Sequence, residues 1–128
     1  MLFKYQNKYK KIVMDMLSLL PTMQFINHLE DEMKWYHDGD NRSLYLWKDQ
    51  SNNWGGLVAI EEFQHNVLIR RIVLNPINKN PNNINAILNE VNKMYPNKMM
   101  IGTIRTARLC NQWNRKHPKL KNGSDNNG

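Results

Sequence analysis

The chain has 128 residues, 41% of them apolar, which suits one folded domain around a single core and argues against a disordered chain. Its only cysteine, Cys110, excludes an internal disulfide and fits a reducing compartment, so the protein is read as cytoplasmic. The net charge is +7, of which residues 105–128 contribute +5 (six Lys and Arg against Asp125), and such a basic end reads first as a solvated tail.

In chain order, LFKY at residues 2–5 reads as a short edge strand. Asn7 is placed to cap a helix whose stripe is Tyr9, Ile12, Val13, Met16, Leu17 and Leu20, and Pro21 should end it. Its run IVMDMLSLL is too short to cross a membrane and contains Asp15; the basic residues of MLFKYQNKYKK follow the first apolar ones, unlike a secretory leader. Thr22 is the expected cap of a second helix. That helix should bury Phe25, Ile26, Leu29, Met33 and Tyr36 and stop at Gly39.

The period then changes to two. SLYLWK puts Leu44 and Leu46 on one face and Tyr45 and Trp47 on the other. GGLVAIEEF and NVLIRRIVL follow, and the short gap between them predicts an antiparallel hairpin. Alternation along the second of these strands predicts opposite faces for Arg70 and Arg71.

The turn NPINKNPNNIN comes next, in a stretch where eight of the eighteen residues from Asn75 to Asn92 are asparagine. The helix after it shows Ile84, Ile87, Leu88, Val91 and Tyr95 on one face, and Pro96 stops it. KMMIGTI reads as a strand and TARLCNQWNRK as a last helix with Leu109, Cys110 and Trp113 inward. Residues 1–116 form the expected domain, and 117–128 a polar, disordered tail. The order β-α-α-β-β-β-α-β-α predicts an α+β fold with a mixed central sheet flanked by helices, its last two strands parallel.

That order, together with the stretches IRRIVLNP and INAILNEV, resembles the GNAT (Gcn5-related N-acetyltransferase) fold. MLFKYQNKYKKIVMDMLSLLP, LYLWK and GGLVAIEEFQHNVLIRRIVLNP resemble more narrowly its small RibT-type members, found with bacterial riboflavin-synthesis enzymes. The resemblance implies acetyl transfer from acetyl-CoA to an amine, on a small molecule or a protein. It also implies that the last two strands of typical members are lacking. The sheet edge at the fifth strand would then be open to a second copy in a homodimer.

The same resemblance places cofactor contacts on the backbone of Ile72, Val73 and Leu74, with a backbone N–H there available to an oxyanion. It places a pyrophosphate loop over Lys79, Asn80, Asn82, Asn83, Ile84 and Asn85. Counting from Pro76, Lys79 keeps the loop's polar or basic first position. Asn82 and Ile84 replace its two small residues, and Pro81 removes an amide donor. Glu61, or its neighbour Glu62, is the candidate base, and Cys110 stands where the family's acid, a tyrosine, is common.

These departures leave two readings open: an acetyltransferase, or a module of the same ancestry with weak or no acetyl-CoA binding. A third reading, RNA or DNA binding by RTARLCNQWNRKHPK, lacks a recognised motif, so nucleic acid is not an expected partner. The four histidines show no metal-ligand spacing, and no metal is expected.

Overall fold

A computed structural model of the chain describes residues 1–118. Five strands form one sheet in chain order: β1 (Leu2–Lys4), β2 (Arg42–Lys48), β3 (Trp54–Glu62), β4 (Asn66–Leu74) and β5 (Met99–Gly102). The first four pair antiparallel, and β4 pairs parallel with β5. That last pairing is the one a strand–helix–strand crossover requires. Four helices cover the sheet: α1 (Lys10–Leu17), α2 (Ile26–Asp38), α3 (Pro81–Met94) and α4 (Ala107–Lys116).

The alternation read in β2 builds a core on each side of the sheet. Leu44 and Leu46 join Leu57, Ala59 and Val73 against Val13, Leu17 and Leu29 of α1 and α2. Tyr45 and Trp47 join Val58, Ile60, Val67 and Ile69 against Ile87, Leu88 and Val91 of α3 and Cys110 and Trp113 of α4. Each fully buried Leu, Ile or Val contributes about 1.5–3 kcal/mol of transfer free energy, and both layers are dense with them. All five residues of the predicted α3 stripe face this second core.

The first forty residues depart from the sequence reading. Asn7 opens a 3-10 turn (Asn7–Tyr9), and Tyr9, with no side-chain hydrogen bond, is the residue before α1. Helix α1 ends at Leu17, before Pro21, which begins a second 3-10 turn (Pro21–Met23) containing Thr22. Phe25 and Ile26 are exposed, because α2 starts only at Ile26 and its first turn overhangs the core; Leu29 and Tyr36 are buried. A 3.6-residue period fixes which residues share a face, but not how far a helix overhangs its support. Helix α4 ends at Lys116, and the predicted tail lies, from residue 119 on, outside the described residues.

Candidate active site

Two features of β4 create the site. The first is a bulge. Ala59 pairs with Arg71 and Ile60 with Ile69, so Arg70 is an extra residue with no partner on β3. Alternation therefore slips by one, and Arg70 and Arg71 both project to the α1/α2 side. This corrects the prediction of opposite faces. Arg71 Nε donates to Glu32 Oε2 at 2.5 Å, and Arg70 donates to Glu61 Oε1 at 3.1 Å. The Arg70 guanidinium also lies 4.5 Å from the Trp35 ring centre, and Arg42 lies 3.8 Å from the same ring.

The second feature is a fork. Strand β5 pairs only with Asn66–Ile69 and stops at Gly102, while β4 runs on to Leu74. At the fork, Thr106 Oγ1 donates to Ile69 O at 2.5 Å and accepts from Thr103 N–H at 3.0 Å. Gly102 permits the sharp entry into α4, since a Cβ there would lie 2.4 Å from Ala107 N and 2.5 Å from its Cα.

Beyond the fork lie two spaces, lined by successive residues of β4. A cleft of about 690 Å³ is bounded by α2 (Asp31, Glu32, Trp35, Tyr36), by Arg70 and Arg71, and by the β5–α4 connection through Arg105. A groove of about 310 Å³ continues along Ile72, Val73 and Leu74, between Leu19 and Leu20 on one side and Pro76 and Lys79 on the other. The four expected cofactor residues Ile72, Val73, Leu74 and Lys79 are thus brought together.

The rest of the expected loop is engaged elsewhere. Asn80 caps α3, accepting from Asn83 N–H at 2.9 Å. The Asn83 side chain donates to Asn78 O at 2.8 Å. Buried Asn78 in turn donates to Asn75 Oδ1 at 3.0 Å and to Asp49 at 3.2 Å. Ile84 packs against the α3/α4 core, Asn85 is half-buried, and Asn82 is exposed. The turn is therefore held by its own asparagines. Its backbone amides do not converge into an anion cradle.

The candidate acid and base fare differently from the sequence reading. Cys110 is fully buried among Thr106 and the α3/α4 core, and burial pushes its thiol up to about 11. Its side chain meets Thr106, whose hydroxyl lies 3.5 Å from that of Thr103 on the cleft wall, and Cys110 itself lines neither space. Glu61 is engaged with Arg70, and the carboxylates lining the cleft are Asp31 and Glu32. Tyr36, read from sequence only as a core residue, also lines the cleft. Its hydroxyl is buried with no hydrogen-bond partner among the described residues. Desolvation raises its pKa strongly, the nearby Glu32 adds to the rise, and Arg70 and Arg71 temper it, so it stays a proton donor. Neither α2's role as a cleft wall nor the bulge had a sequence signal: an acidic helix face reads as solvated, and Arg70 looks like any strand residue.

Among the described residues no group of three or more His, Cys, Asp or Glu could hold a metal ion, and no helix is long and apolar enough to cross a membrane. No family model matches the sequence. The chain is similar to a Bacillus methanolicus protein named "Uncharacterized N-acetyltransferase in lysA 3'region", at 29% identity over 109 residues, 84% of this chain and 89% of that one. Its fold is similar to the aminoglycoside antibiotic 6'-N-acetyltransferase of Acinetobacter baumannii, with a TM-score of 0.65 at 9% identity over 94% of this chain and 90% of that one. The chain has the GNAT fold. Another structure of this fold, an aminoglycoside 6'-N-acetyltransferase complexed with coenzyme A, matches with a TM-score of 0.60 at 12% identity, over 79% of this chain and 58% of that one. The five described strands end the sheet at β5.

Proposed function

We propose that this chain is an N-acetyltransferase that moves an acetyl group from acetyl-CoA to an amine. The fork carries the reading: beyond Ile69 the free edge of β4 faces a groove at Ile72–Leu74, and the preceding Arg70 and Arg71 line a cleft that holds two carboxylates. The name of the Bacillus methanolicus relative supports it, as does the coenzyme A complex of a neighbour with the same fold.

A bound thioester supplies an activated acyl carbon. The β4 backbone then orients the arm, and a main-chain N–H at Ile72–Leu74 stabilises the oxyanion as the amine attacks. Asp31, the lining carboxylate not paired with an arginine, stands in place to take the amine's proton; the tetrahedral intermediate then collapses with cleavage of the C–S bond, and the thiolate leaves and is protonated from solvent, while Tyr36 keeps its proton as a hydrogen-bond donor beside the cleft. Release of free thiol from acetyl-CoA in the presence of a panel of amines tests the reading. No thiol release, and no thermal shift with millimolar acetyl-CoA, would overturn it.

The finer assignment to RibT-type members rests on the N-terminal and hairpin stretches that resemble them. Its test is mass-spectrometric detection of an acetylated amine among riboflavin precursors. A second reading, a GNAT-fold binding module without transfer, is favoured by the position of Cys110 in the core, which leaves the usual acid position empty of usable chemistry. Acetyl-CoA binding without turnover on any amine would favour that reading. A homodimer through the open β5 edge is compatible with both.

A further inference from the structure

The turn before α3 sets a limit on how this chain can hold its donor, given the function proposed above. A diphosphate needs several donors converging on its oxygens, which helix-start turns supply as free backbone amides. Here Pro81 has no N–H, Asn83 N–H is taken by the Asn80 side chain, and Ile84 N–H by Asn80 O at 3.2 Å. Among the described residues, Asn82 is the one of the first four helical positions whose backbone amide is left without a partner. The Asn83 side chain is turned inward and Ile84 is packed in the core, so neither yields without breaking the turn. Exposed Lys79 stands in the lining of the groove. The arm's groove along Ile72–Leu74 is intact.

We infer that this chain recognises its thioester through the pantetheine arm and one phosphate beside Lys79, and gives the second phosphate and nucleotide of coenzyme A no specific hold. Donors ending at 4'-phosphopantetheine are then recognised as well as coenzyme A itself.

Titration calorimetry of the full chain with pantetheine, 4'-phosphopantetheine and coenzyme A tests this. Coenzyme A and 4'-phosphopantetheine should bind within about tenfold of each other, and Lys79→Gln should weaken both alike while sparing pantetheine. Coenzyme A binding more than about tenfold tighter than 4'-phosphopantetheine would overturn the inference and leave the proposed function standing. So would a Lys79→Gln effect confined to coenzyme A. Binding of none of the three would overturn both.

Discussion

Tyr36 is 3% exposed, and its hydroxyl is buried without a well-formed hydrogen bond among the described residues. Such a group gives up water for little more than the approach of the Arg70 guanidinium, so Tyr36→Phe should leave stability unchanged or raise it by up to about 1 kcal/mol in urea denaturation. If the hydroxyl serves the cleft, the same variant should lose transfer activity while gaining stability, a split that a purely structural residue would not show. Cys110 gives a pH prediction. A free thiol titrates near 9.0, and burial moves this one to about 11. Between those values the unfolded chain sheds a proton that the folded chain keeps. Cys110's contribution is therefore intact below about pH 9 and is lost as pH climbs towards 11. Tyr95, raised to about 12 chiefly by burial, extends the decline upward. Melting temperatures across that range should fall less steeply for Cys110→Ala than for the parent chain. The burial of Cys110 was legible from its place on an apolar helix stripe; the isolation of the Tyr36 hydroxyl was not, because it depends on which groups three elements bring within reach.

At the scale of elements, the bulge, the fork and the asparagine turn decide what β4 can do. Thr106 clips the fork through one hydroxyl serving two backbone groups, Ile69 O and Thr103 N–H. Thr106→Val would leave both unsatisfied and should cost about 2–3 kcal/mol, read from the urea midpoint. Gly102→Ala would drive a methyl into the backbone of Ala107, and an atom of the main chain cannot rotate away. It should cost more than the Thr106 change and pull α4 off the fork, visible as earlier exposure of Trp113 in fluorescence unfolding. Asn80→Ala removes the α3 cap and should cost about 1 kcal/mol, whereas Asn80→Gly should cost only tenths. The strands and α3 were legible because their periods are long and regular. The bulge was not, since it appears only when β3 and β4 are set in register.

At the scale of the whole molecule, β5 is the last strand described, with Met99 and Ile101 partly exposed along it and Ile104 fully exposed just beyond. An unpaired edge with apolar side chains favours association. Sedimentation should show a concentration-dependent dimer, and Ile101→Lys should shift it to monomer; monomer alone at high concentration would exclude pairing there. The sequence by itself determined the order of elements, the two faces of β2, the α3 stripe and the parallel return of β5. Each of these follows from local periodicity and chain connectivity. Only the tertiary structure decided that Arg70 and Arg71 share a cleft with Glu32, that Cys110 is not among the residues of its wall, and that the asparagines after Pro76 bind one another. These outcomes depend on register and on which partner a polar group meets first across the fold, and neither is encoded within any one segment.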